Sequence, residues 1–126
     1  MLFRMKIIKN TILIALLGLL GFFSTWSINY FNSPESVFIG DYSNHFEGTE
    51  KKVLFYGTNW CKYCQNAREF FKRNKIDYYE YNPEVDDVVM EKYKSLGVKG
   101  YPAVIIGNKL ILGFNEDEIR RALSEI

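Results

Sequence analysis

The sequence predicts an α/β fold whose elements follow the order β-α-β-α-β-β-α, preceded by an N-terminal transmembrane helix. Three observations support this prediction. From Lys51 onward, short β-prone runs alternate with stretches of helical periodicity. The only two cysteines, Cys61 and Cys64, lie between the first strand-like run and the first helix-like run. Residues 11–28 carry no charged side chain and are mostly apolar.

The folded domain is predicted to span residues 51–126, and its first half alternates strand with helix. A strand is predicted at 52–57, a helix at 62–74 and a second strand at 76–81. The apolar residues of this first helix recur at helical spacing on one face, and they are Tyr63, Ala67, Phe70 and Phe71. The two strands are therefore expected to be parallel, joined by a right-handed crossover.

The second half of the domain begins with another helix. This helix is predicted to start near Pro83, which suits a first helical position, and to end at Gly97. Its core-facing residues are predicted to be Val85, Val88, Val89, Tyr93 and Leu96. Strands at 103–106 and 109–112 follow, and the Gly-Asn pair at 107–108 predicts a hairpin between them.

The last helix is predicted to start after Asn115, whose side chain suits an N-cap. Glu118 stands three residues later and completes a capping-box pattern. The inner face of this helix is predicted to consist of Ile119, Ala122, Leu123 and Ile126.

Residues 1–31 are predicted to be a membrane anchor. The uncharged run 11–28 approaches the ~20 residues that cross a bilayer. Arg4, Lys6 and Lys9 precede it and favour a cytoplasmic N-terminus. A single-pass protein of the inner (cytoplasmic) membrane is expected, with its domain on the periplasmic or extracytoplasmic side. A cleaved signal peptide and a helix buried in a soluble protein stay open as alternatives.

Residues 32–50 are predicted to be a linker, because Asn, Ser, Pro, Gly and Asp dominate there around the short apolar run 37–39. His45, the only histidine, is expected to be solvated in this linker. Residues 1–31 hold three of the 16 basic and none of the 15 acidic side chains, so the rest of the chain has 13 basic and 15 acidic ones. That balance gives a mixed surface without a basic patch for nucleic acid.

Cys61 and Cys64 are predicted to be a redox-active pair. Unpaired N–H groups and the dipole at a helix start stabilise a thiolate, and they lower a cysteine pKa from about 8.5 to about 3.5–7.5. The spacing of three residues brings the two sulfurs within bonding reach. From its angular position relative to the apolar stripe, Cys61 is predicted to be the exposed nucleophile. Cys64 is predicted to be half-buried and to resolve the mixed disulfide.

Two other uses of a Cys-x-x-Cys pair stay open. The pair could be half of a zinc site, although one histidine and no further cysteine cannot complete four ligands within one chain. It could also be a purely structural disulfide, although so short a loop gains little from cross-linking. No metal site is therefore predicted.

The motifs of this domain resemble those of the glutaredoxin family. Residues 60–64 read Trp-Cys-Lys-Tyr-Cys after the first strand, and residues 101–102 read Tyr-Pro before the third. The Gly-Asn hairpin at 107–108 and Gly113 before the last helix occur at the family's relative spacing. The resemblance implies a thioredoxin-like (glutaredoxin) β-α-β-α-β-β-α sandwich, in a membrane-anchored glutaredoxin-like protein.

The resemblance also implies roles for individual residues. Cys61 and Cys64 would be catalytic, and the peptide bond before Pro102 would be cis and would face the two sulfurs. The backbone of Tyr101 would pair with an extended thiol substrate as an added β-strand does. The residues implied to contact the substrate are Trp60, Lys62, Tyr63, Tyr101, Pro102, Gly113 and Asn115.

Several positions depart from the family's usual pattern. Lys62 replaces the common Pro after the first cysteine, and Thr58 stands where glutathione-binding members often have Lys. Residues 113–115 read Gly-Phe-Asn, a form closer to glutaredoxin-like proteins reduced by other donors. Trp60 is thioredoxin-like, whereas Phe55 stands where thioredoxins have a buried acid. Glutathione and a thioredoxin-type donor are therefore both candidate reductants, and no cofactor is required.

The predicted function is that of a membrane-tethered thiol–disulfide oxidoreductase that reduces or exchanges protein or low-molecular-weight disulfides. Two alternatives stay open. One is a module that binds an iron–sulfur cluster between two subunits, and the other is a redox-inactive domain that docks partners.

Overall fold

The computed structural model describes residues 36–126 and, in the N-terminal segment, residues 8, 11–19 and 21. The chain divides into two compact units, Met1–Pro34 and Glu35–Ile126. In the first unit the described residues are helical and exposed. No helix among the described residues has both the length and the apolar character that a membrane crossing requires. Much of the predicted span 11–28 lies outside the described residues.

Residues 36–126 contain nine short elements. In chain order they are β1 (Val37–Ile39), a 3-10 helix (Ser43–Phe46), β2 (Val53–Tyr56), α1 (Lys62–Arg73), β3 (Tyr79–Tyr81), α2 (Asp87–Ser95), β4 (Ala103–Ile106), β5 (Lys109–Leu112) and α3 (Glu116–Leu123). The strands form one sheet in the order β1-β5-β4-β2-β3. β2 and β3 are parallel, and the other neighbours are antiparallel. The predicted order β-α-β-α-β-β-α is confirmed from β2 to α3.

Helices cover both faces of the sheet. On one face α1 and α3 pack against side chains that alternate along the strands, and the buried members from the strands are Val53, Phe55, Val104, Ile106 and Ile111. On the other face lie α2 and the 3-10 helix, and the buried strand residues there are Leu54, Tyr56, Ala103, Ile105 and Leu110. Because both faces are buried, the central strands are apolar throughout.

Residues 36–46 belong to the folded unit rather than to a linker. β1 pairs antiparallel with β5, with Val37 opposite Ile111. Ladder-like hydrogen bonds extend this pairing, from Leu112 N–H to the Ser36 carbonyl (2.7 Å) and from Gly40 N–H to the Asn108 carbonyl (3.0 Å). The linker predicted at 32–50 is therefore wrong for this part, because backbone pairing and not composition decides where the domain begins.

His45 is buried and not solvated as predicted. Only 3% of its surface is exposed, and its Nδ1 lies 2.8 Å from the hydroxyl of Tyr56 in β2. Tyr42 and Phe46, on either side of it in the chain, pack against the same core cluster. The 3-10 helix thus fixes the start of the domain to the centre of the sheet through one buried polar contact and two aromatic rings.

The second helix starts later than predicted. α2 begins at Asp87, because the Asp86 side chain accepts hydrogen bonds from the N–H groups of Val88 (2.8 Å) and Val89 (3.3 Å) and caps it. Pro83 lies in the turn before it. Val85 and Val88, both predicted to face the core, are exposed. The second strand is also shorter than predicted, Tyr79–Tyr81 instead of 76–81.

Lowering the pH from 7.5 to 5.5 is expected to destabilise the fold through His45. Burial, and next the positive charge of Lys92, lowers the pKa of His45 below its ordinary value. The unfolded chain therefore binds more protons in this range, and stability is complete above about pH 6.5 and is lost as the pH falls toward the lowered pKa. The slope is at most ~1.4 kcal/mol per pH unit. Urea denaturation of the full-length chain at both pH values measures it.

The control for this prediction is His45→Gln. Burial raises the pKa of Tyr42 and of Tyr56, the phenols beside the imidazole, so neither titrates between these pH values. The variant should therefore lose most of the pH dependence. An equal dependence in both proteins would contradict the assignment to His45.

Candidate active site

The candidate site lies where three strands reach the same end of the sheet. Tyr56, the last residue of β2, is opposite Ala103, the first residue of β4. Ala103 is in turn opposite Leu112, the last residue of β5. The loop to Cys61, the Tyr101–Pro102 peptide and Gly113 therefore leave the sheet from one end. The N–H of Gly113 also donates to the carbonyl of Pro102 (2.8 Å), which ties two of these loops together.

Cys61 and Cys64 form a disulfide at the start of α1. Their Cα atoms are 5.2 Å apart. Cys61 is the N-cap of the helix, with extended backbone angles, and its Sγ accepts a hydrogen bond from the Cys64 N–H (3.2 Å). An N–H group of the first helical turn thus points at the Cys61 sulfur, the arrangement that stabilises a thiolate once the disulfide is reduced.

Both cysteines are more buried than predicted, since Cys61 was expected to be exposed and Cys64 half-buried. The exposed fraction of Cys61 is 5% and that of Cys64 is 0%, so Cys61 is the accessible one of the two only by a small margin. The prediction for Cys61 failed because an N-cap lies outside the helix, where 100° per residue no longer gives the direction of a side chain. The buried stripe of α1 starts at Cys64 and continues with Ala67, Phe70 and Phe71, whereas Tyr63 is exposed.

The peptide bond between Tyr101 and Pro102 is cis, as predicted. Pro102 is buried and Tyr101 is half-buried. The Tyr101 ring stacks on Tyr93 of α2 with centroids 4.8 Å apart. The Tyr93 hydroxyl donates to the carbonyl of Gly100 (2.7 Å), so α2 supports this loop through a ring contact and a hydrogen bond.

Trp60 connects the cysteine loop to its surroundings. Its ring meets Tyr101 edge-on at a centroid distance of 6.3 Å. Its Nε1–H donates to both carboxylate oxygens of Glu84, each at 2.9 Å. The indole is therefore held in place although 69% of the side chain is exposed. Lys62 and Tyr63, the residues between the cysteines, are exposed as well.

Gly113 and Asn115 have structural roles in the turn before α3 and at its N-terminus. Gly113 has φ +84°, a left-handed conformation that glycine adopts without strain. The Asn115 side chain caps α3 by accepting hydrogen bonds from the N–H groups of Asp117 (3.1 Å) and Glu118 (3.2 Å). The Glu118 carboxylate itself accepts from Arg121. The substrate contacts predicted for Gly113 and Asn115 stay predictions.

The sequence did not reveal the ion pair that braces the cysteine loop. Arg68 of α1 donates to the Glu80 carboxylate through Nε and Nη2 at 2.7–3.2 Å. Its Nη2 also donates to the Thr58 carbonyl (3.0 Å), three residues before Cys61. Twelve residues separate the two partners in the chain, so no helical spacing marks them as a pair.

Gly57 is required by the packing beneath the loop. A Cβ there would lie 2.6 Å from the ring of Phe55, a fully buried residue. Phe55 stands where thioredoxins have an acid, and its ring packs edge-on against Phe71 and Tyr78. This position below the site therefore carries an apolar side chain and no charge. Among the described residues, no group of three or more His, Cys, Asp or Glu side chains could hold a metal ion.

A protein-family model and a relative of known sequence both relate this chain to glutaredoxins. A model of the glutaredoxin family matches residues 53–111. A relative in Clostridium pasteurianum, the "uncharacterized glutaredoxin-like 8.6 kDa protein in rubredoxin operon", is 30% identical over 74 residues, which cover 58% of this chain and 99% of the relative.

Two solved structures are similar as well. The glutaredoxin grx-1 of Archaeoglobus fulgidus has 26% identity and a TM-score of 0.54, over 63% of this chain and 91% of that one. The glutaredoxin-like protein NrdH-redoxin of Escherichia coli has 25% identity and a TM-score of 0.51, over 55% of this chain and 91% of that one. The predicted thioredoxin-like α/β fold is confirmed by these likenesses.

Replacing Arg68 with Met is expected to lower the free energy of unfolding by about 1–3 kcal/mol, because it leaves the half-buried Glu80 carboxylate and the Thr58 carbonyl without their donor. Arg121→Met is the matched control, since it removes a more exposed pair with Glu118 worth less than about 1 kcal/mol. Urea denaturation of both variants measures the difference. Equal losses would show that the Arg68 pair does not brace the loop.

Proposed function

We propose that this chain, which belongs to the glutaredoxin family, is a thiol–disulfide oxidoreductase whose reacting groups are Cys61 and Cys64. The observation that carries the proposal is the position of the Cys61 sulfur. Cys61 is the N-cap residue of α1. Its sulfur accepts a hydrogen bond from the Cys64 N–H and is covalently bonded to the Cys64 sulfur. A sulfur so placed has a partner within bonding distance and a helix start that favours its thiolate.

The reaction begins with the reduced pair. Cys61 loses its proton, and its thiolate attacks one sulfur of a substrate disulfide. A bond forms between Cys61 and that sulfur, and the other substrate sulfur leaves as a thiolate and takes up the proton. Cys64 then attacks the Cys61 sulfur, which closes the protein disulfide and releases the second substrate thiol. Two electrons and two protons pass from the protein to the substrate, and the reverse sequence oxidises a dithiol.

The residues around the sulfurs have separate roles in this proposal. The backbone of Tyr101, fixed by the cis bond to Pro102, pairs with the substrate chain beside its reacting sulfur. Trp60 and Tyr63, just before and two residues after Cys61 in the chain, offer exposed aromatic surface. The ammonium of Lys62, the first residue of α1, favours the Cys61 thiolate electrostatically.

The electron donor is proposed to be of the thioredoxin type, with glutathione as the alternative. The Thr58 side chain is buried, and it stands where glutathione-binding members often have Lys. Threonine offers no ammonium group there to pair with a carboxylate of glutathione. The similar NrdH-redoxin of Escherichia coli is described as having a thioredoxin-like activity profile, which supports the same choice.

The chain is proposed to be tethered to the inner membrane, with the redox domain on the extracytoplasmic side. The support comes from the sequence: an uncharged apolar run at 11–28 follows Arg4, Lys6 and Lys9. Outside the cytoplasm, the cysteine pair acts as a reductant if its redox partner keeps it reduced and as an oxidant if its redox partner keeps it oxidised.

Single replacements of the two cysteines should have different effects. Cys61→Ser should lower the rate of thiol release from a chromogenic aryl disulfide by about 100-fold or more, because the nucleophile is gone. Cys64→Ser should still release one thiol and then remain as a mixed disulfide, detected by mass spectrometry. Full multiple-turnover exchange by both variants would refute the proposed function.

The membrane tether can be tested by fractionation. Leu16→Arg places a charge in the apolar run at a cost of about 2.5–3.5 kcal/mol if that run spans a bilayer, and it should move the protein from the carbonate-washed membrane pellet to the supernatant. Ile39→Arg, at an exposed position of β1, should leave it in the pellet. After reduction, an impermeant maleimide should label Cys61 in intact spheroplasts. Recovery of the unaltered chain in the soluble fraction would contradict the tether.

A further inference from the structure

An exposed apolar surface lies beside the disulfide, on the side of α2. Trp60 is 69% exposed, Val85 76% and Val88 69%. The Trp60 Nε1–H bond to Glu84 joins the cysteine loop to the residue that precedes Val85. These three apolar side chains therefore belong to one region, which we name the α2 patch.

Folding alone does not account for the α2 patch. The buried side of α2 is provided by Val89 and Tyr93, and neither Val85 nor Val88 contributes to it. β-branched residues have a lower helix propensity than unbranched ones. The stability of α2 therefore does not explain why Val stands at position 88. Exposed apolar groups collected beside a reactive centre are typical of a contact surface.

The charged side chains next to the two valines are acidic. Glu84, Asp86 and Asp87 are exposed and lie between or next to the two valines, whereas Glu91, one turn later, is paired with Lys94 at 2.7 Å. Residues 84–91 contain no Lys or Arg. A partner that covers the valines should therefore bring positive charge.

We propose that the α2 patch docks protein disulfide substrates, and that its occupant is an extended segment with an apolar residue and a Lys or Arg beside its cysteine. This inference rests on the proposed oxidoreductase function. The apolar residue would cover Val85 and Val88, and the basic residue would face Asp87. A second copy of the chain fits less well, because two acidic patches repel each other. Glutathione carries more carboxylates than amines and gains nothing from this surface.

The test compares three disulfide probes that share one chromogenic aryl leaving group. The first is a peptide with Leu, Lys and Arg around its cysteine, the second has Glu in place of both basic residues, and the third is glutathione. The reduced full-length chain attacks each probe, and absorbance of the released aryl thiolate gives the rate constant.

For the double variant Val85→Ser/Val88→Ser, the ratio of the basic-peptide rate to the glutathione rate should fall about tenfold. Ile39→Ser, an exposed apolar residue of β1, is the matched control and should leave this ratio unchanged.

Asp87→Lys tests the charge. The preference for the basic over the acidic peptide should fall several-fold at low salt, and at about 1 M salt, where the Debye length is about 3 Å, the unaltered chain should lose the same preference. The valine effect should persist in salt because it is apolar.

Each remaining outcome is informative. No thiol release from any probe would refute the oxidoreductase function itself. Suppose all three probes release thiol, and the ratio of the basic-peptide rate to the glutathione rate is the same in the valine variant and in the unaltered chain. That result would refute only the docking proposal. A dimer that sedimentation velocity detects in the unaltered chain and not in the valine variant would also overturn it, in favour of a second copy as the occupant.

Discussion

The antiparallel pairing of β2 with β4 is the constraint on which the candidate site depends. Because Tyr56 ends one strand opposite the first residue of the other, the chain must leave β2 and enter β4 at the same end of the sheet. The cysteine loop and the cis peptide before Pro102 are 40 residues apart in sequence, and this pairing makes them neighbours. β5 adds a third loop at that end through the Gly113 N–H.

Two carboxylates from one part of the chain then hold the cysteine loop. Glu80, in β3, binds Arg68 and through it the Thr58 carbonyl, and Glu84, in the following turn, binds the Trp60 indole. The backbone before Cys61 is therefore fixed on both sides by groups that do not take part in the exchange. The loop that carries Cys61 is thus positioned by contacts other than the disulfide itself.

Local sequence signals predicted those elements that local physics determines. The Gly-Asn turn at 107–108, the cap at Asn115 and the apolar runs of the central strands each act within a few residues, and the structure contains the elements that they predict. The cis bond before Pro102 followed from a family resemblance and not from spacing.

What the sequence did not reveal depends on distant partners or on competing local signals at a helix start. β1 is three residues long and has its partner some 70 residues downstream, so composition suggested a linker. The start of α2 was decided by the side chain of Asp86, which competed with a plausible Pro83. The burial of Cys61 depends on its N-cap geometry, which helical periodicity does not describe. His45 can be buried because the hydroxyl of Tyr56, a residue of another element, lies within hydrogen-bonding distance of its ring nitrogen.

The pairing of β1 with β5 also limits how the redox domain can be isolated. The family match begins at residue 53, and a chain cut there would lack β1 and the 3-10 helix. The backbone groups of β5 would then be open to a strand from another molecule, and the Tyr56 hydroxyl would lose His45. Self-association or weak solubility of such a fragment would be a property of the cut and not of the redox domain.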